Sequence, residues 1–249
     1  MRDWSRSKKG WLGIEARTMK NQYFGDINDY RKYGLIRLLA DGGKIKAGVC
    51  WMLTPDDTRT DGKFTEYLND PKKYRAFDPE LYDFLRHCVD SKQRNILEAV
   101  NSDKFPNTTF HNQILEDDAD QRKQYFSVMR ELFQDVDLIF FDPDNGLEVK
   151  SKPFGKKDSS KFLYWSEVVD SYEAGRSILL YQHFIRENRE NFISRIVTDI
   201  RGKTGSNNVV CFRTANVAFF LITQDRHSQY LLGKAKVISD KWDGQIQIC

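Results

Sequence analysis

The chain has 249 residues, 40% of them hydrophobic and 30% charged, with a formal net charge of +3 at pH 7. That length suits one large α/β core, and so small an excess of positive charge does not by itself call for nucleic acid, whose phosphates are met by local basic clusters. No apolar run approaches the ~20 residues that a membrane span requires, and the basic segment 1–18 lacks the apolar stretch of a secretory signal. A soluble cytoplasmic protein with no membrane partner is therefore expected: a poorly ordered basic tail over 1–18, then a single domain over 19–249.

The first periodic segment, 26–41, places Tyr30, Tyr33, Leu35, Ile36, Leu38 and Leu39 at helical spacing and stops at Gly42-Gly43. Asp29 is its expected N-cap. Lys46 to Thr54 contains a continuous apolar run, the mark of a strand buried on both faces, and breaks into the polar turn Pro55-Asp56-Asp57-Thr58. Gly62 to Arg75 has no clear period. Helices are expected over Pro79–Cys88, Lys92–Val100 and Gln121–Phe133, with a short strand over Thr108–Leu115 between the last two. Val136 to Phe141 reads as a second buried strand, ending in Asp142-Pro143-Asp144-Asn145-Gly146. After a lysine-rich stretch, 150–161, come a helix over Tyr164–Glu173, a third buried strand over Arg176–Phe184 carrying Gln182 and His183, and a helix over Asn188–Arg201. Two apolar runs, Val209–Arg213 and Val217–Gln224, suit a hairpin. Cys50, Cys88, Cys211 and Cys249 show no C-x-x-C pairing and are expected to be buried free thiols.

Strands alternating with helices predict a Rossmann-like, mostly parallel sheet, closed by a C-terminal antiparallel hairpin. In such sheets ligands bind outside the C-terminal strand ends, so the loops at Thr54 to Asp57, Asp142 to Gly146 and His183 should share one crevice. A closing antiparallel hairpin is also how methyltransferase sheets differ from dinucleotide-binding ones, and this is the topology expected here.

The segment Gly25-Asp26-Ile27-Asn28-Asp29-Tyr30-Arg31-Lys32-Tyr33 opens the first helix. It resembles the start of the bacterial large-subunit ribosomal RNA adenine-N6 methyltransferases, with Gly25, Asp29 and Lys32 in register and Tyr33 in place of a histidine. Phe64-Thr65-Glu66-Tyr67-Leu68 is similar to a later segment of that family, and Asp142-Pro143 matches the first half of its Asp/Asn-Pro-Pro-aromatic motif. The resemblance implies a nucleic-acid partner, RNA or DNA, with S-adenosylmethionine as donor and an adenine amine as acceptor. It places Asp142, Pro143, Asp144 and Asn145 at the reacting amine, and Lys32, Asp29, Thr54, Asp56 and Asp57 at the cofactor. Asp144-Asn145 stand where the motif has Pro and the aromatic that stacks on the base. The loop after the first strand is bulky and acidic where the family's is small and Gly-rich.

That departure supports a second reading. Asp56, Asp57, Asp142, Asp144 and His183 would form an oxygen-rich cluster suited to Mg²⁺ or Mn²⁺ in a phosphoesterase or nuclease. A third is a methyltransferase-like fold that binds without turnover. The sequence leaves the oligomeric state open.

Overall fold

The computed structural model describes residues 21, 23–55, 62 and 64–249. The expected tail at 1–18, and Asp56 and Asp57, lie outside the described residues. A seven-stranded sheet runs through the domain. Its strands are β1 (Ala47–Cys50), β2 (Thr108–His111), β3 (Leu138–Phe141), β6 (Ser177–His183), β7 (Val209–Arg213), β8 (Val217–Ile222) and β9 (Gln247–Ile248), in the order β2-β1-β3-β6-β8-β7-β9. Two-residue strands β4 (Gly146–Leu147) and β5 (Phe162–Leu163) pair separately, in parallel. The pairs β1–β2, β1–β3 and β3–β6 are parallel, whereas β8 is antiparallel to both β6 and β7. The expected hairpin therefore forms, and its second strand, β8, is inserted between β6 and β7.

Helices cover both faces. On one lie α1 (Ile27–Ala40), α3 (Pro79–Asp90), α4 (Ile96–Asn101) and α8 (Asp225–Lys241), packed on Ala47, Val49, Leu138, Phe140, Leu179 and Phe219. On the other lie α5 (Ala119–Leu132), α6 (Trp165–Glu173) and α7 (Arg189–Thr204), packed on Cys50, Ile139, Phe141, Ile178, Leu180 and Phe220. Successive strand residues point to opposite faces, so a strand buried on both must be apolar throughout. That is why β1, β3 and β6 read as unbroken runs.

Several boundaries differ from the sequence expectation. The first buried run is not one strand: β1 ends at Cys50, Met52 adopts a left-handed backbone (φ 48°), and pairing resumes at Leu53 opposite Ile114. A non-glycine residue held there is strained, and this one sits at the mouth of the sheet. Asp26, not Asp29, caps α1: its carboxylate accepts from the backbone N–H of Asn28 (2.8 Å) and Asp29 (3.0 Å). Asp29 lies inside the helix and accepts from Gly25 N–H at 3.2 Å, so both acids serve one helix start. The aperiodic stretch holds a 3-10 turn, Glu66–Asn69, and the single-turn helix α2 (Pro71–Tyr74). Cys50 and Cys88 are free and buried as expected, but Cys211 and Cys249 form a disulfide, because β9 pairs with β7 and brings the two residues together.

Helix α8 was not foreseen, although Leu231, Ala235, Ile238 and Trp242 repeat at helical spacing. It packs on α1, with Trp242 fully buried against Tyr30 and Phe77. At Gly34, mid-helix in α1, an added Cβ would overlap the Trp242 indole. Gly34→Ala should therefore cost about 1–3 kcal/mol by overpacking, despite alanine's better helix propensity. Urea denaturation checks this, and unchanged or raised stability would show that the indole does not pack as described.

Candidate active site

Three strand ends and one helix converge on a cavity of about 390 Å³, within the size range of small-molecule sites. Thr54 follows β1; Asp142, Pro143, Asp144 and Asn145 follow β3; Tyr181 and His183 end β6; and α1 closes the side with Asp26, Asn28, Asp29 and Lys32. Of the loops expected to share a crevice, Thr54, Asp142, Pro143, Asp144, Asn145 and His183 line it, whereas Pro55 and Gly146 do not; Lys32 and Asp29, expected at the cofactor, line it too.

Its centre is the Lys32 ammonium, 2.9 Å from each oxygen of Asp142 and 3.7 Å from Asp29. It also lies 4.3 Å from the centre of the Tyr181 ring, a cation–π distance. Lys32 and Asp142 side chains are each only 12% exposed, so charge here is poorly screened by water. Burial pulls the Lys32 pKa down, but Asp142, Tyr181 and Asp29 more than reverse this and hold the ammonium charged. On the acids burial dominates. It raises Asp26 and Asp142 against the pull of Lys32, and raises Asp29 furthest because Asp26 and Asp142 repel its charge as well. One ammonium stands among three buried carboxyls, and of these Asp29 is held well above the ordinary carboxylate range.

The other polar groups are arranged around this centre. Thr54 Oγ1 donates to Asp144 at 3.1 Å. Burial lowers the His183 pKa, and its Nε2 shares a hydrogen bond of 3.2 Å with the Tyr181 hydroxyl. Behind the Asp142 loop, Gly146 has φ 93° and lies so close to Gln182 that a Cβ would collide with its amide. Leu147 N–H donates to Gln182 Oε1 at 2.7 Å, which fixes the path of the turn. The lysine-rich stretch beyond is held by Arg122, which is fully buried. It grips Glu167 through two bonds of 2.6 and 2.8 Å and donates to the carbonyls of Ser159 and Phe162. Lys161, at the end of that stretch, reaches the cavity.

Asp26, Tyr181 and Lys161 were not singled out from sequence. Tyr181 had a signal: it precedes His183 by two residues on one strand and therefore shares its face. For a metal, the described donors are a poor fit. Both Asp142 oxygens face an ammonium, and among the described residues no group of three or more His, Cys, Asp or Glu side chains is placed to hold an ion. Also among the described residues, no helix is long and apolar enough to cross a membrane. No model of a known protein family matches the chain, and no curated protein matches it.

A raised carboxyl binds protons more tightly folded than unfolded, so it takes stability away as pH climbs from its ordinary value of 3.8 through its folded one. Asp29→Asn removes that titration while an amide oxygen can still accept from Gly25. The variant should gain stability relative to the parent as pH rises from 4 to 8 in a series of urea denaturations. Parallel profiles would mean that Asp29 carries its charge without penalty.

Proposed function

We propose that this protein is an S-adenosylmethionine-dependent methyltransferase acting on an exocyclic amine of adenine in nucleic acid. The observation that carries the reading is the sheet: parallel strands β2-β1-β3-β6 followed by the reversed strand β8 inserted before β7. This arrangement separates methyltransferase sheets from ordinary dinucleotide-binding ones. Fold alone does not give function, so the site must add to the argument. It does so in three ways: Asp142-Pro143 stand at the end of the central strand β3, the cavity there is of ligand size, and its carboxylates outnumber its ammonium groups.

Bound S-adenosylmethionine would supply a methyl carbon on a cationic sulfonium, a charge that the acidic cavity complements. The residues of this chain perform the rest. The Pro143 carbonyl and one Asp142 oxygen accept the two amine hydrogens, which turns the nitrogen lone pair toward the methyl carbon. As the new N–C bond forms, the donor's S–C bond would break and leave a neutral thioether; the nitrogen gains positive charge, which the Asp142 carboxylate stabilises until one amine proton passes through it to solvent. Lys32 lies 2.9 Å from both Asp142 oxygens and so holds the carboxylate in place, and the amine hydrogen is accepted by a remaining lone pair of one of them. Since the amine must reach a recessed site, the base is taken from single-stranded nucleic acid or flipped out of its stack.

With methyl-labelled donor and adenine-containing RNA or DNA strands, Asp142→Ala should lower transfer on the order of 100-fold or more. Asp142→Asn keeps an acceptor oxygen and should retain more activity; circular dichroism confirms that both variants fold. No transfer by the parent protein to either polymer, or undiminished transfer by Asp142→Ala, would refute the assignment.

A further inference from the structure

The turn after β3 has Asn145 where the related motif carries an aromatic ring, so the base would lack a stacking partner from that loop. Another residue is placed to supply it. Six aromatic residues other than histidine line the cavity: Tyr23, Phe24, Tyr33, Trp51, Phe64 and Tyr181. Phe24, Tyr33, Trp51 and Tyr181 are at most 5% exposed, and their faces are in use: Trp51 stacks on Phe110, Tyr181 is covered by Lys32, and Phe24 and Tyr33 pack on each other. Tyr23 is half-buried. Phe64 is 63% exposed, the most exposed large hydrophobic side chain among the described residues and the one aromatic in that exposed set.

Its backbone is nevertheless fixed. The Phe64 carbonyl accepts from Ile27 N–H at 3.1 Å, which ties it to the first turn of α1. Two residues earlier, the Gly62 carbonyl accepts from Arg94 Nη2 at 2.6 Å, while Arg94 Nε donates to the Phe24 carbonyl at 2.8 Å. An exposed ring on an anchored backbone at the mouth of a polar cavity is pre-organised for a planar ligand. The lysine-rich stretch 150–161, whose Lys161 lines the same cavity, offers positive charge suited to a phosphate backbone beside it.

We propose that Phe64 is the stacking platform for the acceptor base, taking the place of the aromatic absent from the Asp142-Pro143-Asp144-Asn145 turn. The inference rests on the methyltransferase reading for its choice of ligand. The cofactor's own adenine shares the chemistry of a planar purine, and the test separates the two.

In the full chain, Phe64→Trp places a fluorophore on the platform. A single-stranded adenine-containing oligonucleotide should quench it, whereas the same strand with an abasic site, or S-adenosylmethionine alone, should not. Phe64→Ala should weaken oligonucleotide binding about 10- to 100-fold, the range that loss of one base stack gives, and leave donor affinity within about twofold. Equal quenching by the abasic strand, or unchanged oligonucleotide affinity in Phe64→Ala, would overturn the assignment. So would a loss confined to donor affinity, which would give the ring to the cofactor. Quenching by the base in a protein that binds no donor would leave the platform standing and remove the methyltransferase reading instead.

Discussion

The site depends on one buried cation. Lys32 reaches from the second turn of α1 to Asp142 at the end of β3, and this contact joins that helix to the cavity at the C-terminal edge of the sheet. Without the ammonium, Asp26, Asp29 and Asp142 would face one another across a space that water screens poorly, and desolvation would drive them to protonate. With it, one carboxyl is oriented at the strand end and its rise is held back. Removing either partner of such a pair leaves a buried charge uncompensated, which costs more than the intact pair contributes. The interaction is thus best understood as a device for specificity of arrangement rather than for stability.

The remaining structure serves to keep that contact in register. Asp26 and Asp29 cap and brace the start of α1, Tyr30 and Gly34 seat the helix against Trp242, and Arg94 ties Phe24 to the Gly62 carbonyl. On the opposite face, the fully buried Arg122–Glu167 pair fixes the path that brings Lys161 to the cavity. Lys32 with Asp142 and Arg122 with Glu167 are each joined through two contacts, as expected where a low-dielectric interior makes an unmatched group expensive.

Much of this organisation was legible in the sequence because it follows from periodicity. The apolar runs at β1, β3 and β6 announce strands covered on both faces, and strands separated by helices force their C-terminal ends, hence Thr54, Asp142 and His183, into one crevice. What the sequence concealed depends on contacts between distant segments. The Cys211–Cys249 disulfide needs the pairing of β9 with β7, which no spacing rule reveals. Asp26 and Asp29 are equally good capping residues by type, and only the helix start decides between them. Lys32 was placed near the cofactor by resemblance, yet its bond to Asp142, 110 residues away, appears only once the sheet is assembled. The left-handed turn at Met52 is likewise a tertiary effect: propensity continues the strand, and the geometry of the sheet's mouth interrupts it.

The central claim is that the acidic cavity at these strand ends receives S-adenosylmethionine without a metal. Calorimetric titration of the full chain with S-adenosylhomocysteine, in EDTA and in Mg²⁺, tests it most directly. The account predicts one-to-one binding of equal strength in both conditions. Absence of binding, or binding that requires Mg²⁺, would contradict it and return the site to a carboxylate centre of a different chemistry.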